Sequence, residues 1–296
     1  MLILTEKLTK YYGRSRGIVD VDLQVREGEV FGFLGPNGAG KTTTIRLLLS
    51  FIRATSGRAT VFGLDAGRDT LTIKERVGYI PGDVRLYEEM TGAAFLDYMA
   101  GFRPARKDRR RELAERLGIN LSVRLKQASR GMKQKVAIIQ AFTHDPDLFI
   151  LDEPTSGLDP LVQNDFYGLL KEEQRRGKTV FLSSHILSEV EKVCDRVAII
   201  RDGRIEVVED IHSLKARRVK VMDVTFISEL SPAALQVSGV TAVEGSGRHY
   251  RVSVKGDVNP VLQAVARHPV ENLTFTDASL EDIFLEFYAR DRQGGR

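Results

Sequence analysis

The chain has 296 residues, 42% hydrophobic and 28% charged, which suits a globular protein with one large domain or a large and a small one. A formal net charge of +4 is too small to argue for nucleic acid as a partner. Cys194 is the single cysteine, which excludes an intrachain disulfide and a thiolate metal cluster and suits a reducing compartment.

Met1-Leu2-Ile3-Leu4 runs straight into Thr5 and Glu6 and shows no leader pattern. Residues 18–25 alternate, with Val19, Val21, Leu23 and Val25 apolar and Asp20, Asp22 and Gln24 polar, which predicts a half-buried antiparallel strand. Arg26-Glu27-Gly28-Glu29 turns the chain into a short apolar run ending at Leu34. Gly35-Pro36-Asn37-Gly38-Ala39-Gly40-Lys41-Thr42 follows and satisfies G-x-x-x-x-G-K-[ST]. Glycines let such a loop curl so that its N–H groups face phosphate oxygens, and the next helix adds its positive N-terminal end. Lys41 would reach the β- and γ-phosphates, the Thr42 hydroxyl would ligate Mg²⁺, and Thr43 joins the same set. Ile45, Leu48, Leu49 and Ile52 then recur at helical spacing. That run is interrupted by Arg46 and Ser50, and no apolar stretch approaches the ~20 residues of a membrane helix, so any crossing is expected of another chain.

Further short strands are predicted at 77–80, 148–151, 179–182 and 197–200, with helices near 93–99, 109–117, 133–142, 161–176 and 186–194. The basic run Arg103, Arg106, Lys107, Arg109, Arg110, Arg111 and Arg116 is diluted by Glu112 and Glu115 and reads as a solvated helix face, with anionic lipid headgroups as the alternative. Leu148-Phe149-Ile150-Leu151 ends in Asp152-Glu153, so two carboxylates emerge at the C-terminal end of a buried strand, where ligands bind in such sheets. Asp152 would hold the metal and Glu153 would polarise an attacking water. Asp202-Gly203 predicts a hairpin. Strands alternating with helices imply an α/β fold with a mostly parallel sheet. From a polar connector at 214–219 onward the elements shorten, at 224–227, 233–237, 240–243, 250–254, 261–267 and 273–275. A last helix carries the stripe Leu280, Ile283, Phe284, Phe287, Tyr288, and Ser279 with Asp282 resembles its capping box. We expect a first domain at 1–215, with a helical subdomain at about 84–145, and a small α+β domain at 216–296.

In the order of its motifs, the chain from residue 1 to about 212 resembles the ATP-binding subunits of ABC transporters. Pro154-Thr155-Ser156-Gly157-Leu158-Asp159-Pro160 is similar to the family's D-loop, in which Asp159 would communicate across a dimer. Asp159 can also cap the helix that Pro160 opens. Ser183-Ser184-His185 is similar to the H-loop, so His185 would bond the γ-phosphate and position Glu153. Lys10-Tyr11-Tyr12-Gly13 is similar to the A-loop, with Tyr12 stacking on adenine. Ala128-Ser129-Arg130-Gly131-Met132 stands where the family has Leu-Ser-Gly-Gly-Gln. Ser129 and Gly131 match; Arg130 either adds a cation near the γ-phosphate or faces the partner, and Met132 lacks the glutamine's polar group. Gly82 stands where the family has the Q-loop glutamine, and Asp83 is the neighbouring substitute.

The resemblance implies a P-loop NTPase fold with an N-terminal antiparallel β subdomain and a helical subdomain. It implies ATP and Mg²⁺ as cofactors and hydrolysis by Glu153 and His185. ATP would be sandwiched between two copies of the chain, each closing the other's site with Ser129 and Gly131. The other partner implied is an integral membrane permease, contacted by Leu86 and Tyr87, with the chain peripheral on the cytoplasmic face; no nucleic acid is expected. The segment Ala278-Ser279-Leu280-Glu281-Asp282-Ile283-Phe284 resembles the tails of drug, antibiotic and lipid exporter ATPases, which implies export. The alternative is a soluble ABC-type ATPase acting in translation or DNA repair.

Overall fold

A computed structural model describes residues 1–102, 109–211, 213 and 220–277. The chain divides into two compact units, Met1–Ile211 and His212–Arg296.

The first unit begins with an antiparallel sheet. Strand β1 (Ile3–Tyr12) pairs with β2 (Ser15–Val25) on one side and β4 (Ser56–Val61) on the other, and β4 pairs with the short β5 (Leu64–Asp65). In β2 the buried Val19, Val21, Leu23 and Val25 alternate with exposed Asp20, Asp22 and Gln24, so one face meets the core and the other meets water.

The second sheet has six strands in the order β10-β9-β3-β8-β7-β6. These are β3 (Val30–Leu34), β6 (Val77–Ile80), β7 (Leu148–Asp152), β8 (Thr179–Ser184), β9 (Arg196–Arg201) and β10 (Arg204–Asp210). All pairs are parallel except β9–β10, the hairpin turned by Asp202-Gly203. Every residue of β3, β7 and β8 is buried, which is why these segments read as unbroken apolar runs rather than as alternation. The rings of Phe31 and Phe33 lie 6.0 and 5.3 Å from that of Phe181, and each fully buried phenylalanine contributes roughly 1.5–3 kcal/mol.

Helices cover this sheet. They are α1 (Lys41–Leu48), α2 (Thr70–Glu75), α6 (Pro160–Arg175) and α7 (Leu187–Val193). The segment between β6 and β7 adds α3 (Gly92–Ala100), α4 (Arg110–Arg116) and α5 (Arg130–Thr143). Phe142 of α5 packs on Phe149 of β7 at 4.2 Å between ring centroids, joining these helices to the sheet.

The expected solvated basic face needs a correction at Arg109. That side chain is buried against Glu173 of α6, 2.5 Å away, and pairs with a carboxylate that would be costly to bury unpartnered. Arg110, Arg111 and Arg116 pair with Asp97, Glu115 and Glu172. Arg103, Arg106 and Lys107 lie outside the described residues.

The second unit is an antiparallel sheet in the order β12-β13-β11-β14. Its strands are β11 (Lys220–Phe226), β12 (Val240–Ser246), β13 (His249–Val254) and β14 (Val270–Asp277). One face packs Met222, Val224, Phe226, Val252 and Val254 against a 3₁₀ turn at Pro232–Leu235 and helix α8 (Asn259–Val265). The connector at 214–219 and the striped last helix at 280–288 lie outside the described residues.

Gly32 in the middle of β3 permits the close approach of α7. A Cβ there would stand 2.7 Å from Val190 Cγ1 and 3.0 Å from Cys194 Sγ. Gly32→Ala is therefore expected to cost about 1–3 kcal/mol by overpacking, read as a lowered urea midpoint of the whole chain.

Candidate active site

The three central strands β3, β8 and β7 run in parallel register, with Leu34 opposite Ser184 and Asp152 opposite Ser183. Their C-terminal ends therefore deliver the glycine loop, the Ser-Ser-His segment and the Asp-Glu pair to one edge of the sheet.

Gly35 opens the loop and donates its N–H to Ser184 O at 3.2 Å. A Cβ at Gly35 would lie 2.3 Å from Ile200 O, so only glycine fits there. Gly38 and Gly40 sit at φ +80° and +111°, and Gly40 precedes the first residue of α1. Pro36, Asn37 and Gly38 are exposed at the mouth, Ala39 is buried beneath, and Thr42 and Thr43 are half-buried. Lys41 is only 5% exposed. Its Nζ donates to Gly35 O at 2.7 Å and Pro36 O at 3.2 Å, and lies 3.2 Å from Glu153 Oε1.

Asp152 is 1% exposed and has both oxygens occupied. Thr42 Oγ1 donates to Oδ2 at 2.7 Å, and Ser183 Oγ donates to Oδ1 at 2.5 Å. A hydroxyl and a carboxylate oxygen side by side are hard donors of the kind that would suit Mg²⁺. Tyr79 lies near this carboxylate; burial, then the charge of Asp152, pushes its phenol up to about 12, so it stays neutral.

Glu153 adopts φ +48°, a left-handed conformation that non-glycine residues avoid. Its N–H is shared by Ser183 O and Ser183 Oγ, each at 3.2 Å. Its Oε1 faces both Lys41 Nζ and His185 Nδ1 at 3.2 Å. Lys41, Thr42, Asp152, Glu153 and His185, far apart in sequence, thus form one contact network. Ser183 was not singled out on its own in the sequence, although the Ser-Ser-His triplet at the strand end contained it.

The remaining residues lie around this network or on the helical segment. Tyr12 is 45% exposed, with Oη 3.4 Å from Thr43 Oγ1 and Lys10 Nζ 5.4 Å from its ring centroid. Ser129 caps α5 by accepting from Met132 N at 3.2 Å. Gly131 lets α5 approach the D-loop segment, since a Cβ there would lie 2.7 Å from Gly157 O. Arg130 donates to Ser156 Oγ at 2.7 Å, so it engages the D-loop segment of its own chain. Asp159 caps α6, accepting from Val162 N at 3.1 Å with Pro160 at the first helical position. Gly82 sits beside the Asp152 carboxylate, its hypothetical Cβ 3.1 Å from Oδ2. Asp83, the suggested substitute for the missing glutamine, is exposed and pairs with Arg85 at 2.8 Å.

A family model described as ABC transporter matches residues 18–156. A Bacitracin transport ATP-binding protein, BcrA of Enterococcus faecalis, is 31% identical over 295 residues, covering 96% of this chain and 95% of that protein. This chain belongs to the ABC transporter ATP-binding proteins. An uncharacterized ABC transporter ATP-binding protein of Nostoc is 44% identical over 191 residues, 62% of this chain, and the chain spans just over half of its length, 56%. A solved structure of an ATP binding subunit of an ABC transporter superposes with a TM-score of 0.67 at 31% identity, covering 73% of this chain and 92% of that one. Its fold is thus an ABC ATPase cassette, as the motif order implied.

The Ser183 hydroxyl would fix the direction of the Asp152 carboxylate if that group holds Mg²⁺. Ser183→Ala is expected to raise the Mg²⁺ concentration needed for nucleotide binding about tenfold, measured by Mg²⁺ titration of ATP affinity. An unchanged Mg²⁺ requirement would remove that role.

Proposed function

We propose that this ABC chain binds ATP with Mg²⁺ and hydrolyses it between two copies, driving export through a separate membrane permease. The observation that carries the reading is the meeting of Lys41 Nζ and His185 Nδ1 at one oxygen of Glu153, beside the Thr42–Asp152 pair. In the free chain Lys41 neutralises Glu153. A bound triphosphate competes for the same cation, and its departure leaves the Glu153 carboxylate free to accept a proton from water. The water oxygen then bonds to the γ-phosphorus as the bond from that phosphorus to the β,γ-bridging oxygen breaks. His185 holds Glu153 in place, and the loop N–H groups and Lys41 stabilise the departing charge. Thr42 and Asp152 would hold Mg²⁺, which when bound neutralises phosphate charge.

The sandwich arrangement is supported by the positions of Ser129 and Asp159. Both cap helices at their N-terminal ends, where anions are favoured, and neither belongs to the contact network of its own chain. A permease partner is supported by a groove of about 450 Å³ flanked by Leu86, Tyr87, Phe95 and Phe102. Tyr87 and Phe102 are exposed, and Tyr98 stacks edge-on with both at 5.6 and 5.1 Å. An amphipathic segment of a membrane protein fits such a groove. Transport is supported by the relative named for bacitracin transport, and its outward direction by the resemblance of residues 278–284 to exporter tails. In that setting the chain works peripherally at the cytoplasmic face.

Glu153→Gln is expected to bind ATP and associate into dimers while turnover falls at least about a hundredfold, measured by phosphate release and by size-exclusion chromatography with ATP. Normal turnover would remove Glu153 as the base. Leu86→Asp with Tyr87→Asp is expected to abolish co-purification with the permease and leave ATP affinity within about twofold. Retained complex formation would count against the groove.

A further inference from the structure

Glu189 of α7 is a buried carboxylate that the mechanism above does not use. It is 6% exposed, and among the described residues no lysine or arginine pairs with it. Such a group is costly unless hydrogen bonds satisfy it. Each of its oxygens takes one hydroxyl: Thr155 Oγ1 donates to Oε1 at 2.6 Å and Ser184 Oγ donates to Oε2 at 2.6 Å. These are lengths typical of charge-assisted O–H···O⁻ bonds. The Tyr167 phenol of α6 abuts the same carboxylate; burial, then the charge of Glu189, pushes its pKa up, so it keeps its proton.

The two donors flank the reacting pair. Thr155 follows Glu153 by two residues, and Ser184 immediately precedes His185. Ser184 also accepts from Ile186 N at 2.9 Å, so its hydroxyl shapes the turn that presents His185. Glu153 itself is held at a strained φ of +48°, which persists only where the surroundings enforce it. The Lys41 contact that helps to hold Glu153 is the one a nucleotide would take away.

We propose that Glu189 is a positioning residue that ties the segment after Glu153 to the segment before His185, so that their 3.2 Å contact outlasts the loss of Lys41. This rests on the assignment of Glu153 and His185 above. Glu189→Gln keeps the shape but replaces one acceptor oxygen by an amide NH2 donor, so one of the two hydroxyls loses the charged acceptor to which it donates.

The full-length chain is assayed for phosphate release against ATP concentration and, free of nucleotide, by amide hydrogen exchange. Glu189→Gln is expected to lower kcat about ten- to a hundredfold with ATP affinity within about twofold. Thr155→Val and Ser184→Ala each remove one hydroxyl with little change of volume, and guard against misfolding of the first variant. Each is expected to lower kcat in the same way, and Glu189→Gln with Thr155→Val is expected to fall short of the product of the two single effects. Exchange at Ser156, Leu158 and Ile186 is expected to rise roughly tenfold in Glu189→Gln, with the strands of the sheet unchanged. Unchanged kcat, or ATP affinity lost in step with kcat, overturns the proposal. So does unchanged exchange at those amides, a result readable even if the unaltered chain hydrolyses nothing, which would instead refute the hydrolytic reading.

Discussion

Parallel pairing of β8 with both β3 and β7 is the constraint on which the site depends. In a parallel sheet all strands end at the same edge, so three loops of different chemistry leave the core side by side. The register then sets their relative heights: Asp152 stands opposite Ser183, and the Ser183 hydroxyl reaches its carboxylate. The pairing is held by complete burial of all three strands, with Phe31, Phe33 and Phe181 packed across it. Slipping one strand by a residue would turn its inward set over and separate the carboxylate from its hydroxyls.

On that frame the polar groups satisfy one another. Lys41 and Asp152, both nearly inaccessible to water, are matched by Glu153 and by the Thr42 and Ser183 hydroxyls. Burying a charge without such partners would cost several kcal/mol. In the proposed mechanism the same groups engage a phosphate chain and its metal, so binding would exchange one set of partners for another rather than create charge in a dry site. The exposure of Pro36, Asn37 and Gly38 leaves the loop mouth accessible for that exchange.

The departures from the family pattern acquire physical meaning from their neighbours. Gly82 lets its backbone pass close to Asp152, whose carboxylate a Cβ would crowd, and the acidic residue after it pairs with Arg85. Arg130 donates to Ser156, and Gly131 admits Gly157 O, so the start of α5 lies against the segment that joins Glu153 to Asp159. The buried Gln134 side chain adds a bond to Pro154 O at 2.7 Å on the same segment. The start of α5, expected from the resemblance to face a partner's nucleotide, is in this structure a support for the segment after Glu153 in its own chain.

Much of the fold and the chemistry was legible in the sequence because it is encoded over short spans. Eight consecutive residues carry the glycines, the lysine and the threonine of the phosphate loop, and four apolar residues followed by Asp152-Glu153 specify a buried strand ending in carboxylates. The capping role of Asp159 needs only the residues after it. What the tertiary structure decided are the partners: Ser183 on Asp152, Lys41 on Glu153, Glu189 between Thr155 and Ser184, Arg130 on Ser156, and Arg109 buried on Glu173. Thr42 and Asp152 are 110 residues apart and meet only through sheet register. Local spacing determines which backbone a segment adopts and which side chains it carries, whereas hydrogen-bond partners and burial depend on which segments the sheet brings within about 3 Å.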